Sequence, residues 1–370
     1  GFIHEWAFED DGGPIVVGVG VVPADYYVST TGSDSNPGTL ASPFLTIQYA
    51  SSVVVPGNTV HIRAGTYREV ITMNGLDGTA ADPIVFQNYN GEEVVISGAI
   101  EVTAPWVVHS GNIWKTTLPQ DTFQVFLDRK MMTAARWPNL TQDWDQLDDS
   151  NGWNPTPNSY WDMESTWAQL DLASSWGDFH NLESAYSLAG LGVSVQDAML
   201  VGYRTMDTGN DVYVEQITAH TAGNSDFQHT MTVTPPGSPT NQTIEKARYY
   251  IEADLDLLDS PREWFYDTAT NELYVWMDDS GDPTGRNIEA RVVEHGILNM
   301  QNCSYIDFKG ITLFSGAFDL DGTSETSFED CKFLYSSYGR RMWKVLEAGT
   351  GHFLHATPAP PNITRNANPA

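Results

Sequence analysis

Two pairs of short β-branched segments recur at fixed intervals, and this recurrence restricts the chain more than any other feature. Asn58-Thr59-Val60-His61-Ile62 aligns with Asp82-Pro83-Ile84-Val85-Phe86, and Glu69-Val70-Ile71-Thr72 with Glu93-Val94-Val95-Ile96, both at an offset of 24. Near the other end the offset is 20. There Leu298 maps to Phe318, Met300 to Leu320, Phe308 to Phe328, Ile311 to Cys331 and Leu313 to Phe333. Apolar and polar residues alternate within each segment, so one face of each strand turns inward and the other meets water. Strand pairs at this interval, with no helix between them, describe rungs of a parallel β-helix whose stacking buries a continuous apolar column. A β-sandwich with coincidental spacing is the alternative.

Ahead of the first repeat, Phe44, Ile47, Ala50 and Val54 recur at near-helical spacing. A short amphipathic helix is expected there, covering the open end of the stack and shielding strand edges that could pair with another chain.

The opening residues resemble a known family. The signature is Tyr26-Tyr27-Val28-Ser29, then Gly32-Ser33-Asp34-Ser35-Asn36-Pro37-Gly38-Thr39, Ser42-Pro43-Phe44 and Ile47-Gln48, followed by Pro56-Gly57-Asn58-Thr59-Val60 and Ala64-Gly65-Thr66-Tyr67. Together, over about residues 26–98, they look like the opening of secreted right-handed parallel β-helix proteins, many of them polysaccharide lyases or glycoside hydrolases. The resemblance implies an all-β fold: a right-handed parallel β-helix solenoid with a short N-terminal capping helix. Activity does not follow from it, because many chemistries share that opening.

The rung rhythm breaks from about 115 to 290. Gln124-Val125-Phe126-Leu127-Asp128 and Ala135-Arg136-Trp137-Pro138-Asn139 resemble a subset of the family, large β-helix glycosidases in which an all-β insertion interrupts the early rungs. Asp259-Ser260-Pro261-Arg262-Glu263-Trp264-Phe265-Tyr266-Asp267 and Leu273-Tyr274-Val275-Trp276 look like the return from it. Six of the 12 Trp fall between Trp137 and Trp176, and no Lys or Arg lies between Arg136 and Arg204. Trp beside Asp or Asn suits the apolar faces and hydroxyl fringe of sugars. Trp137, Trp144, Trp153 and Trp161 are therefore the candidate substrate-binding residues. The competing reading, that these rings fill the insertion's own core, carries the greater weight.

Charge narrows the partner. With 48 acidic against 18 basic residues the formal charge is −30, a surface that repels phosphate backbones and anionic lipid. No apolar run reaches the roughly 18–20 residues of a membrane span. Pro14 to Pro23 is short and follows Glu9, Asp10 and Asp11, where a signal peptide carries positive charge. Cys303 and Cys331 read as small core residues, being too few for a disulfide framework.

Chemistry is best placed on Phe318-Asp319-Leu320-Asp321. If Phe318 and Leu320 point inward, Asp319 and Asp321 project from one outer face, about 6.6–6.8 Å apart along the backbone. Inverting glycosidases hold their acid and base roughly 6.5–9.5 Å apart. A solvated strand ending in an Asp321-Gly322 turn is the plainer account. A lyase instead needs a base to take the proton α to a uronate carboxyl and a cation to neutralise that carboxyl. Lys309, Arg340 and His295 are the runner-up residues for it, with Arg341 beside Arg340. The net charge disfavours a polyuronate substrate unless calcium bridges. No cofactor is expected otherwise, and Asp319-x-Asp321-Gly322 with Asp330 at position 12 is a poor calcium loop.

Beyond about 338 the 20-residue period fails: Leu320 maps to Arg340, Phe328 to Ala348 and Cys331 to Gly351. An early cap or a truncated product is expected. The domain expectation is thus an N-terminal segment over 1–23, rungs with the capping helix over 24–114, an inserted β-rich domain over 115–290, further rungs over 291–338 and an irregular tail over 339–370. The functional expectation is a secreted, extracellular protein acting on polysaccharide, with no nucleic-acid partner. Hydrolysis of a neutral or weakly charged glycan leads. A calcium-assisted uronate lyase and a non-catalytic glycan-binding protein or inactive fragment remain open.

Overall fold

A computed structural model describes residues 25–122, 124–139, 168–171, 178–181, 188–206, 209–224, 226–229, 244–293 and 296–336. The protein is mostly β. Three parallel ladders organise both ends of the described chain. The first joins Asp25–Val28, Thr59–Ile62, Ile84–Asn88, Ile306–Lys309 and Ser327–Glu329. The second joins Gly65–Tyr67, Val94–Ser97, Ile311–Phe314 and Lys332–Leu334. The third joins Ile71–Asn74, Gly296–Gln301 and Ala317–Asp321.

Alternation puts one set of side chains into a shared core. Val60, Phe86, Phe308 and Phe328 stand in register along the first ladder. The Phe86 and Phe308 rings stack at 5.4 Å and those of Phe308 and Phe328 at 5.1 Å. Ile96 and Leu313 from the second ladder and Ile71, Leu298 and Met300 from the third complete the same cluster, with Cys303 buried among them and Cys331 packed at its margin.

The offset of 20 holds rung for rung: Leu298 pairs with Phe318, Met300 with Leu320, Phe308 with Phe328 and Leu313 with Phe333. The offset of 24 does not. Val60 lies beside Phe86 rather than Ile84, Val94–Ile96 stack on Gly65–Tyr67, and Ile71 pairs with Leu298. A strand repeats every two residues, so the first alignment, slipped by two, keeps its apolar residues inward and looks equally good. The second matched Ile71, in the core of the third ladder, to Val95, which faces outward from the second.

The expected helix forms at Ile47–Val53. Thr46 Oγ1 caps it by accepting from the Tyr49 N–H at 3.0 Å, and the Glu69 carboxylate accepts from the Ile47 and Gln48 N–H groups at 3.0 and 2.9 Å. Ile47 and Ala50 enter the ladder core, so the helix lies over its first rungs.

Between Val94–Ser97 and Gly296–Gln301 the pairing turns mainly antiparallel, with Thr133–Ala134 parallel to Glu263–Asp267, and it does so at Ala99, earlier than the 115 expected. Ala99–Glu101 pairs with Ile288–Arg291, which pairs with Gln124–Leu127. A second sheet of five strands contains Glu263–Asp267 and Glu272–Trp276. In a third, of seven, Met199–Met206 also pairs with Ile244–Glu252, closing six strands on themselves. This segment leaves and rejoins the ladders at Gly98, whose carbonyl accepts from the Val292 and Val293 N–H groups at 3.1 and 3.2 Å. It docks on the outer face of the second ladder, where Phe126 meets Phe314 at 4.8 Å and Val95 is buried.

Candidate functional site

The third ladder carries the Asp pair. Phe318 and Leu320 stand in register on Leu298 and Met300, so the alternate residues Asp319 and Asp321 are exposed on the outer face. Beneath them, in register, are Asn299 and Gln301, and beneath those Thr72 and Asn74. Two polar columns result, Thr72–Asn299–Asp319 and Asn74–Gln301–Asp321, with successive members about 4.8 Å apart. Gln301 Nε2 donates to Asp321 Oδ2 at 3.5 Å. At the N-terminal end the Gln48 amide grips the edge, accepting from the Thr72 N–H at 2.6 Å and donating to the Thr72 carbonyl at 3.1 Å. A half-open cleft of about 290 Å³ there is lined by Gln48, Ser51, Thr72 and Asn74. This face offers two carboxylates and a row of amides and hydroxyls, groups that can pair with sugar hydroxyls and move protons.

Asn299, Gln301, Thr72 and Asn74 were not singled out from sequence, yet a signal existed. Ile71-Thr72-Met73-Asn74, Leu298-Asn299-Met300-Gln301 and Phe318-Asp319-Leu320-Asp321 share one apolar–polar–apolar–polar pattern. The pattern recurs at two unequal separations, so no single offset aligns the three strands.

Lys309 sits elsewhere, on the outer face of the first ladder. It follows Tyr27, His61 and Gln87 in register and precedes Glu329. Tyr27 stacks on His61 at 5.0 Å, and Gln87 Nε2 lies 3.3 Å from His61 Nδ1. Lys309 Nζ pairs with Glu329 at 3.0 Å, and this hydrogen-bonded carboxylate pushes the lysine above its usual range. A proton-abstracting lysine needs the opposite shift. The structure does not bring Lys309 together with the Asp pair.

Trp137 is 9% exposed and packs with Ala135, Leu188, Leu200 and Ile251 in the core of the closed sheet. Its ring therefore fills a core rather than facing a ligand. Beside it, Arg136 is buried with its guanidinium 3.8 Å from the Tyr250 ring centroid, and burial lowers its pKa. Glu263, 2% exposed, is raised to about 8, chiefly by burial and next by the nearby Asp259 carboxylate. His295, Arg340, Trp144, Trp153 and Trp161 lie outside the described residues.

Among the described residues, the Asp319–Asp330 stretch does not fit a calcium loop: Ala317–Asp321 and Ser327–Glu329 are strands of two different ladders. Among the described residues no group of three or more His, Cys, Asp or Glu is placed to hold a metal ion, and no helix is long and apolar enough to cross a membrane.

Comparison with known proteins agrees with this architecture. Residues 26–118 match a Pel9A-like right-handed β-helix region. An uncharacterised Bacillus subtilis (strain 168) protein, YwoF, is 51% identical over 75 residues, which are 20% of this chain and 16% of that protein. Pectate lyase PEL9 of Emericella nidulans is 40% identical over 79 residues, 21% of this chain and 19% of the enzyme. The chain thus spans under a fifth of the curated relatives it matches. A solved structure named Glycoside hydrolase superposes with a TM-score of 0.59 at 18% identity, covering 78% of this chain and 50% of its own, which is a likeness of fold. Together these show that the opening of the chain is similar to right-handed β-helix proteins and that its fold resembles that of a solved glycoside hydrolase.

Proposed function

We propose that this chain is part of a secreted, polysaccharide-degrading glycoside hydrolase of right-handed parallel β-helix fold. The three ladders are the helix, and the mainly antiparallel sheets between them are an inserted β-rich domain. The observation that carries the reading is the outward register of Asp319 and Asp321 over a ladder of amides and hydroxyls. Coverage of 78% of the chain by a solved glycoside hydrolase supports it, because the ladders alone cannot supply that share.

In the proposed reaction one aspartate protonates the glycosidic oxygen while the other draws a proton from water attacking the anomeric carbon. The bond to the leaving sugar breaks as the bond to water oxygen forms. Gln301 orients Asp321, and Asn299 with Thr72 offers donors and acceptors to neighbouring hydroxyls. A net charge of −30 favours a neutral glycan.

A lyase is the second reading, favoured by the Pel9A-like match and the pectate lyase relative. Against it, Lys309 is held by Glu329, and the described residues offer no calcium cluster.

The test is incubation of the chain with xylan, a β-glucan and polygalacturonate, reading both new reducing ends and ultraviolet absorbance of unsaturated products. Hydrolysis predicts reducing ends from a neutral glycan without absorbance, lost in Asp319→Asn and in Asp321→Asn. Undiminished turnover in both variants discards the pair, and rising absorbance moves the chain to the lyases.

A further inference from the structure

A second cleft lies where the intervening segment begins and ends. The loop after Ala99–Glu101 and the loop before Ile288–Arg291 enclose a half-open space of about 400 Å³, within the roughly 300–1,000 Å³ usual for ligand sites. Trp106 lines it. Its indole is half-buried, with its body packed on the core around Val102 and Leu118. An aromatic ring fixed on one side and open on the other is suited to an apolar ligand face.

The two charged groups that line this cleft are held in place. Arg286 donates to Asp278 and Asp279 at 3.1 Å each. Glu101 accepts from Arg68 at 2.8 Å, and that guanidinium also pairs with the buried Glu289 at 2.9 Å. Groups fixed before binding lose little freedom when a ligand arrives. Each set also places one guanidinium against two carboxylates, Arg286 with Asp278 and Asp279 and Arg68 with Glu101 and Glu289, so neither offers an uncompensated cation to a uronate. Hydroxyls, which both donate and accept, suit such a lining.

We infer that the Trp106 cleft is a binding subsite for a neutral oligosaccharide segment, with the indole stacked on a sugar ring and Arg286 and Glu101 paired to its hydroxyls. This rests on the reading of the chain as glycan-acting. It moves the aromatic sugar contact from Trp137, which is buried, to a tryptophan that faces a cavity. The bland alternative is a solvated seam between two loops.

Two variants separate these accounts. Trp106→Ala removes the platform. Gly285→His adds an imidazole at the cleft without a clash in the core: Gly285 lines it at φ +78°, a new Cβ there meets no atom within 4 Å, and His is among the residues that adopt that backbone region at least cost. Retention is measured by electrophoresis of the chain through gels containing xylan, hydroxyethylcellulose or polygalacturonate, with circular dichroism as a check on folding. A neutral polysaccharide is expected to retard the unaltered chain, and each variant is expected to weaken that retention by roughly tenfold or more. Unchanged retention in a folded Gly285→His chain overturns the inference, as does retention by polygalacturonate alone or by none of the three. Retention without new reducing ends would sink the hydrolase reading and leave the cleft standing. New reducing ends with unaltered retention in both variants would do the reverse.

Discussion

Ile71 and Leu298 are direct parallel neighbours in the third ladder, although the whole mainly antiparallel sheet system lies between them in sequence. The ladder therefore closes over the gap: the rung begun by Ile84–Asn88 and Val94–Ser97 is completed only at Gly296–Gln301. Where the next rung turns through Ser315 and Gly316, this one leaves at Gly98 and returns at Val293. The early and late rungs thus form one core, and several consequences can be tested.

Phe308, 1% exposed between the rings of Phe86 and Phe328, ties the two halves of that core together. Phe308→Ala is expected to lower unfolding free energy by about 3–5 kcal/mol. Phe328→Ala, at a half-buried ring on the outermost described rung, should cost clearly less. Urea denaturation of both reads the difference, and equal losses would show that the two rungs are equally buried.

Gly98 is required by close approach. A Cβ there would lie 2.2 Å from the Ser315 carbonyl oxygen, and backbone rather than a flexible side chain would have to yield. Gly98→Ala should destabilise by about 1–3 kcal/mol and loosen the junction with the intervening segment. Limited proteolysis near Gly98 and Val293, faster than in the parent, is the expected sign.

Glu263 gives the stability a pH dependence of unusual sign. Its folded pKa of about 8 stands above the usual glutamate value of 4.5, so between those values the folded state binds more proton than the unfolded one. Stability therefore falls as pH rises through that window, by at most about 1.4 kcal/mol per pH unit from this group, and levels off above it. Glu263→Gln should flatten that slope between pH 5 and 8. Parallel slopes in the two proteins would assign the dependence to other groups.

Glu69 ties the helix to the ladders through the N–H groups of Ile47 and Gln48. Glu69→Ala leaves both unsatisfied and should cost about 1–2 kcal/mol. The loss should appear first as faster amide exchange in Ile47–Val53, with the exchange of the Phe308 rung little altered.

The sequence alone determined the late rungs. Between Leu298 and Phe333 the turns are short and equal, so Leu298–Phe318 and Phe308–Phe328 keep a constant spacing that alternation makes visible. The helix was legible for a similar reason, since its apolar spacing and its Thr46 cap are local. Asp319 and Asp321 were readable as an outward pair because parity within one strand needs no partner.

Tertiary structure decided the rest. Parity cannot separate a slip of two residues, so only the ladder set Val60 beside Phe86. Nothing local to Ile71 points to Leu298, because that contact depends on how a distant segment folds and returns its ends to one place. The same holds for Trp137 and Trp106: composition marks both as aromatic, but burial is a property of the packed core, and it turned one ring inward and left the other at a cleft. Strand periodicity is written residue by residue. Register across a long interruption, and the surface a side chain finally meets, exist only once the chain has closed on itself.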